Sequence, residues 1–68
     1  MEYKVGNKIK ELRNEIKITQ KELAKLVGKS PTAVASWEQG LSEPCINDIK
    51  TMCKIFDVSA DFFLGLTD

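Results

Sequence analysis

The stretch from Thr19 to Gly40, where helix start and stop signals alternate at short intervals, constrains the fold more than any other feature. Thr19 is followed three residues later by Glu22, which makes the Ser/Thr-x-x-Glu capping box that satisfies free amide groups at a helix start. Gly28 stands where the chain must turn through positive φ, a conformation that glycine adopts at little cost. The sequence therefore predicts a helix over Gln20–Val27 that ends in a tight turn.

A second short helix follows this turn almost immediately. Ser30 can cap a helix from the extended conformation that a residue before proline prefers, and Pro31 suits the first helical position. The next glycine predicts that this helix ends at Gln39, and its buried side is formed by Val34 and Trp37, three positions apart. Two helices of about eight residues joined by a short glycine turn make up a helix-turn-helix motif.

Apolar residues at helical spacing predict three more helices around this motif. Cys45 begins a fourth helix, and because cysteine is a poor cap we expect Cys45 to be partly exposed and this helix end to be frayed. Ser59 is a suitable cap for a short fifth helix, which contains Phe62 and Phe63. The apolar positions are Val5, Ile9, Leu12 and Ile16 in the first helix and Ile46, Ile49, Met52, Cys53 and Phe56 in the fourth. The sequence thus predicts an all-α fold of five short helices.

Length and composition limit the number of domains and the location of the chain. A chain of 68 residues normally supports one hydrophobic core, and 43% hydrophobic residues with few glycines and prolines are typical of a packed globule. No segment approaches the roughly 18 to 20 consecutive apolar residues that cross a bilayer, and the charged N-terminus lacks the apolar region of a signal peptide. We therefore expect a single domain over residues 1–68, located in the cytoplasm and without a membrane partner.

The residue inventory gives little support to metals, cofactors or catalysis. Cys45 and Cys53 lie eight positions apart in one predicted helix, roughly 12 Å along its axis, which is too far for a disulfide. The chain has no histidine, and two cysteines do not make a closed zinc site, which takes about four ligands. There is no glycine-rich phosphate loop and no nucleophile beside a base. We expect reduced thiols, no metal, no cofactor and no enzymatic activity.

Charge is distributed unevenly along the chain, although it sums to zero. Residues 1–29 carry eight basic and four acidic side chains, whereas residues 30–68 carry two basic and six acidic ones. A basic half suits contact with phosphate groups, and an acidic half suits solvent or a partner. The same distribution is equally compatible with two mixed, solvated faces, so charge alone does not decide between them.

The residues of the two central helices resemble the phage-repressor and Cro-like helix-turn-helix, also called the XRE family. The matching positions are Gln20, Ala24, Gly28, Val34 and Trp37, the phrase Trp37-Glu38-Gln39-Gly40, and outside the motif Arg13, Pro44, Val58 and Ser59. The resemblance implies a lambda-repressor-like DNA-binding fold with a central helix-turn-helix at about residues 20–39. It also implies a sequence-specific transcriptional regulator, a repressor that binds a pseudo-palindromic operator in double-stranded DNA.

The resemblance further implies which residues would read the DNA sequence. The third helix would enter the major groove, and its base-reading positions would be Pro31, Thr32, Ala33 and Ser36. Many relatives have arginine, glutamine or asparagine at one or more of these positions, whereas no long donor is available here. Readout would rely on hydroxyl groups and on methyl contacts to thymine, so specificity would be modest or would come partly from DNA shape.

Phosphate contacts and a structural ion pair are implied in the same way. Gln20 at the start of the second helix, Lys29 in the turn and Gln39 at the end of the third helix would contact phosphate. The alternative for Lys29 is a solvated turn lysine. A partly buried ion pair between Arg13 and Glu38 would tie the first helix to the end of the third.

The C-terminal residues contain more apolar surface than one short helix can bury. Family members commonly pair through this region, so the resemblance implies an isologous homodimer, at least on DNA, with Phe63, Leu64 and Leu66 in the interface. Simple core packing of Phe62 and one neighbour is the alternative. Residues 64–68 also resemble the point at which longer repressors continue into a linker and a second domain.

A protein-binding module that keeps this scaffold but has lost DNA recognition is the competing function. It is favoured by the zero net charge, by the small side chains of the third helix, and by Glu43, which would repel a nearby phosphate. Gln20, Lys29 and the basic first half favour DNA instead, because a module that only binds protein has no need of them.

Overall fold

This computed structural model describes residues 4–66, which fold into five α-helices joined by short turns and loops. Thr67 and Asp68, where a longer repressor would continue, lie outside the described residues. The helices are α1 (Val5–Glu15), α2 (Gln20–Val27), α3 (Pro31–Gln39), α4 (Ile46–Phe56) and α5 (Ala60–Phe63). This architecture confirms the predicted all-α class of five short helices.

The capping signals of the two central helices form the contacts that the sequence predicts. The Thr19 hydroxyl oxygen accepts a hydrogen bond from the Glu22 amide at 3.0 Å, and the Glu22 carboxylate accepts one from the Thr19 amide at 2.8 Å. Gly28 ends α2 in the left-handed region, at a φ of 73°. Ser30 then caps α3 by accepting from the Ala33 amide at 3.2 Å. These local contacts account for the agreement between the predicted and observed bounds of α2 and α3.

The end of α1 differs from the apolar pattern that predicted it. The helix stops at Glu15, and Lys17 takes a left-handed backbone conformation at a φ of 58°. Ile16 follows the helix as its C-cap and is 45% exposed. The apolar pattern placed Ile16 on the same stripe as Ile9 and Leu12, and this is wrong for its burial, because the chain leaves the helix at Lys17 and nearly half of the Ile16 surface stays open to solvent. Ile9 and Leu12 are buried as predicted.

A carboxylate from the first turn of α4 holds the start of that helix. Cys45 is exposed, as predicted. Its amide nitrogen and thiol donate to Asp48 Oδ2 at 3.4 and 3.2 Å, so the helix start has a carboxylate partner that the prediction of a frayed end did not include. Asp48 is buried. Ile46 lies two positions before Asp48, about 200° around the helix, and therefore points outward with 75% of its surface exposed. The prediction of Ile46 as a buried position is wrong for this reason.

One hydrophobic cluster contains residues from all five helices. Phe63 belongs to it with 0% exposure, and its ring stacks on that of Phe56 with the ring centroids 6.4 Å apart. The assignment of Phe63 to a dimer surface is therefore wrong, because a side chain enclosed within one chain has no surface left for a partner. Phe62 is half-buried, with Lys8 Nζ 4.6 Å from its ring centroid. The core residues are Ile9, Leu12, Leu23, Ala24, Val34, Trp37, Met52, Phe56 and Phe63.

Close contact between the backbones of α1 and α3 depends on Gly6, which the sequence analysis did not single out. Gly6 is buried in the first turn of α1. A Cβ atom built on it would overlap the Trp37 carbonyl oxygen and would lie 3.1 Å from Glu38 Cα. Both are backbone atoms, so no side-chain rotation could relieve the overlap. The start of α1 therefore reaches the end of α3 because residue 6 has no side chain.

Candidate nucleic-acid interface

One face of α3 is open to solvent while the opposite face closes the core. Trp37 lies on the buried side and is 5% exposed. The four predicted base-reading positions do not all share the open face: Pro31 and Thr32 are exposed and Ser36 is half-buried, whereas Ala33 is half-buried and packs against the hydrophobic core. None of the four has a long side chain, so a partner surface can approach the α3 backbone closely at these positions.

Arg13 and Glu38 form the ion pair that the resemblance implied. Arg13 Nε lies 2.7 Å from Glu38 Oε2, and Arg13 Nη2 lies 3.1 Å from Glu38 Oε1, so the guanidinium group donates twice to the carboxylate. Arg13 Nη1 also donates to the Ile18 carbonyl oxygen at 2.8 Å. The two side chains are only 12% and 4% exposed. The hydrogen bond to Glu38 raises the pKa of Arg13, so the guanidinium group keeps its charge.

We expect Arg13→Ala to lower the free energy of unfolding by about 2 to 3 kcal/mol, because it leaves the nearly buried Glu38 carboxylate without a cation. The loss stays below that of a fully enclosed pair, since part of the Arg13 side chain is in contact with water. Lys10→Ala is the matched control, because Lys10 is an exposed cation on the same helix. Chemical denaturation of both variants measures the difference, and equal unfolding free energies would contradict a stabilising role for the pair.

Gln20 makes a contact within the protein at the position predicted to meet phosphate. Its side-chain nitrogen Nε2 donates to Glu38 Oε1 at 3.1 Å, and the same oxygen accepts from Arg13. Gln20 is also the first residue of α2, where the helix dipole favours an anion. The Gln20 side-chain nitrogen is thus engaged by Glu38, and the phosphate contact at this end of the helix stays a prediction.

Lys29 pairs with a residue that the sequence analysis missed. Lys29 Nζ in the turn between α2 and α3 lies 3.6 Å from Asp48 Oδ1 of α4, and the two side chains are 43% and 9% exposed. An acidic residue in the first turn of a helix is a common start signal, but nothing in the sequence connects Asp48 with Lys29. Gln39, the last residue of α3, is exposed. Lys29, one of the three residues predicted to contact phosphate, therefore already lies beside an anionic side chain of the protein.

Two of the three residues predicted for the dimer surface retain accessible area. Leu66 is 70% exposed, and Leu64 is half-buried. Leu64 also lines a groove of about 240 Å³ together with Val5, Glu43, Pro44 and Ile49, so this groove is apolar except for one carboxylate. Leu64 and Leu66 thus leave some apolar surface accessible near the end of α5, although Phe63 is buried in the core.

Metal ligation and membrane insertion have no visible basis in the described part of the chain. Within residues 4–66, no group of three or more His, Cys, Asp or Glu side chains is placed to hold a metal ion. No helix within that range has the length and hydrophobicity needed to span a bilayer. Cys45 and Cys53 are free thiols, and burial raises the pKa of Cys53, which disfavours its thiolate.

Two short helices, α2 and α3, joined by a tight glycine turn form a helix-turn-helix, and comparison with known protein families agrees with this class. The profile of the helix-turn-helix family matches residues 9–63, from within α1 to the end of α5. The chain belongs to this family. The resemblance predicted from the central helices is confirmed at this level.

Relatives and a solved structure place the chain beside transcriptional regulators. It is 30% identical to the uncharacterised HTH-type transcriptional regulator YobD of Bacillus subtilis (strain 168) over 61 residues, which are 90% of this chain and 54% of YobD. It is 33% identical to Repressor protein C2 of Salmonella phage P22 over 60 residues, which are 88% of this chain and 28% of C2. The crystal structure of the P22 c2 repressor with the synthetic operator 9T superimposes with a TM-score of 0.84 at 32% identity, covering 93% of this chain and 96% of that one. This chain thus spans about half of the first relative and less than a third of the second.

Proposed function

We propose that this chain is the sequence-specific DNA-binding part of a transcriptional regulator, a repressor that places α3 in the major groove of a pseudo-palindromic operator. The observation that carries the proposal is the open face of α3, in a fold that superimposes on a repressor in complex with operator DNA. Such a protein acts by occupying DNA rather than by catalysis. It works in the compartment that holds the DNA, which in bacteria is the cytoplasm.

Base readout would use the small side chains at the start of α3. The Thr32 and Ser36 hydroxyl groups can each donate to or accept from a base edge, and the Thr32 methyl group, Ala33 and Pro31 offer apolar contact to the thymine methyl group. Such contacts discriminate less strongly than an arginine that binds guanine with two hydrogen bonds. We therefore expect modest specificity at the contacted bases, supplemented by the shape of the DNA.

Phosphate contacts would flank this reading face. Gln20 lies at the positive end of the α2 dipole, Lys29 lies in the turn, and Gln39 ends α3 with its side chain exposed. The excess of basic residues over residues 1–29 is consistent with attraction to the phosphate backbone of DNA. Affinity should accordingly fall with rising salt concentration, as for any binding that depends on phosphate neutralisation.

A homodimer would pair two reading faces across a two-fold axis. Leu64 and Leu66 are the apolar residues that supply accessible surface near the end of α5. Two α3 helices related in this way enter successive major grooves on one face of the duplex. The half-sites of the operator would then lie about one helical turn apart.

Leu66→Glu is expected to weaken self-association and operator binding together while leaving the fold intact, because Leu66 is 70% exposed. Phe63→Glu is a contrasting variant, since Phe63 is fully enclosed and a buried charge there should unfold the chain. Sedimentation, circular dichroism and a binding titration distinguish the two cases. A Leu66→Glu protein that dimerises as well as the native chain would exclude this residue from the interface.

Selection of binding sites from a random duplex pool tests the proposed function and does not require the operator sequence. The proposal predicts enrichment of a pseudo-palindromic sequence that binds about 10³-fold or more tighter than mixed-sequence DNA at physiological salt. The same titration against a scrambled duplex of equal composition is the control. A pool that shows no enrichment, with a protein that remains folded, would favour the protein-binding alternative.

A further inference from the structure

Lys29 and Asp48 bring opposite charges together at the edge of the proposed DNA-binding surface. Lys29 stands between Gly28, which ends α2, and Ser30, which caps α3. Its backbone is therefore next to the end of α3 that enters the groove in the proposed function. Its ammonium nitrogen lies 3.6 Å from Asp48 Oδ1 on α4. A cation at a position suited to phosphate contact thus already has an anionic partner inside the protein.

The Asp48 carboxylate is held in place more firmly than the Lys29 ammonium group. Its Oδ2 accepts from the Cys45 amide at 3.4 Å and from the Cys45 thiol at 3.2 Å, in the first turn of α4 where the helix dipole stabilises negative charge. Asp48 is 9% exposed at its side chain, whereas Lys29 is 43% exposed. Lys29 is therefore the partner that can move, and its departure would leave a nearly buried carboxylate without a cation, which is unfavourable.

We propose that Asp48 competes with DNA phosphate for Lys29 and thereby lowers the affinity of this chain for DNA. This inference rests on the proposed function. Transfer of Lys29 to a phosphate exchanges one anionic partner for another rather than adding an ion pair. The carboxylate that is left behind attracts a cation from solution, which offsets the counterion that the phosphate releases. Asp48 is thus a positioning residue that sets the strength of binding without touching the DNA.

The variant Asp48→Asn tests the competition, because it removes the negative charge and keeps a side-chain oxygen that can accept from the Cys45 amide. The probe is a labelled mixed-sequence duplex of about 20 base pairs, titrated by fluorescence anisotropy at about 50 to 200 mM salt. The salt slope is the change in the logarithm of the binding constant with the logarithm of the salt concentration, and we expect it to steepen by up to about 0.9 per subunit. Binding at about 0.1 M salt is expected to tighten by about fivefold to tenfold per subunit.

Two further variants separate competition for Lys29 from a general loss of negative charge. Lys29→Ala in the Asp48→Asn background should cancel the gain, and Lys29→Ala alone should change the slope by much less than about 0.9. Asp61→Asn removes an exposed carboxylate from the first turn of α5 and should leave the slope unchanged. Thermal denaturation followed by circular dichroism checks that each variant is folded.

A folded Asp48→Asn protein with an unchanged slope would overturn the inference, as would a gain that persists after Lys29→Ala. A decrease of about 0.9 in the salt slope on Lys29→Ala alone would also overturn the inference, because Lys29 would then contact phosphate without competition from Asp48. If Asp48→Asn does not fold, the salt slope of Lys29→Ala alone tests whether Asp48 competes for Lys29. If neither the native chain nor Asp48→Asn binds any duplex, the proposed function fails and the inference fails with it.

Discussion

Gly6→Ala is expected to lower the free energy of unfolding by about 3 kcal/mol or more, although alanine normally stabilises a helix relative to glycine by about 1 kcal/mol. The added Cβ atom would overlap the Trp37 carbonyl oxygen and crowd Glu38 Cα. These atoms belong to the backbone of α3, so relief requires α1 to move away from α3. That movement would also pull apart the Arg13–Glu38 pair, which joins the same two helices.

Asn7→Ala is the matched control, because Asn7 is the exposed neighbour of Gly6 in α1 and should gain slightly from the helix propensity of alanine. Denaturation followed by circular dichroism measures the stability of both variants. Trp37 is the single tryptophan of the chain, so its emission also reports on the contact between α1 and α3. A Gly6→Ala protein as stable as the native chain would show that the two backbones do not approach this closely.

Trp37→Ala should lower the free energy of unfolding by about 3 to 5 kcal/mol, because it leaves a large cavity in the core. Trp37 is 5% exposed and belongs to the same cluster as Ile9 and Met52, so its removal affects the packing of several helices at once. Small domains are often stable by only about 5 kcal/mol, so much of the protein should be unfolded in the absence of denaturant.

Leu41→Ala provides the comparison for Trp37→Ala, since Leu41 is a large apolar residue that is 75% exposed and lies two residues beyond the end of α3. Its removal should change the unfolding free energy by less than about 0.5 kcal/mol. Calorimetry or chemical denaturation of the two variants gives the contrast. A cooperative unfolding transition for Trp37→Ala close to that of the native chain would contradict the placement of Trp37 in the core.

The parts of the fold that could be predicted from sequence are those set by local contacts. Thr19 and Glu22 bond to each other's backbone across three residues, and Gly28 acts through its own φ angle. The bounds of α2 and α3 follow from such signals. The Arg13–Glu38 pair joins residues 25 positions apart, and it became predictable only through the family resemblance, because spacing alone makes both residues ordinary surface charges.

The features that could not be predicted depend on distant packing. Gly6 looks like a minor helix residue until α3 is placed against it, and Asp48 looks like a helix-start carboxylate until Lys29 is brought beside it. Phe62 and Phe63 are adjacent in a helix of four residues, which is too short for an apolar period to indicate which ring faces inward. The wrong assignment of Phe63 to the dimer surface follows from this ambiguity.

The central claim is that α3 reads bases, and the operator preference of Ser36→Arg tests it most directly. Ser36 is half-buried beside the open face of α3, where an arginine can extend toward a base edge. Competition titrations against single-base variants of the selected operator should show a new guanine preference at one position per half-site, worth about 1 to 3 kcal/mol if two hydrogen bonds form. Asn14→Arg adds the same charge at an exposed position of α1 and should leave the ranking of variants unchanged. An unchanged ranking for a folded Ser36→Arg protein would contradict the account.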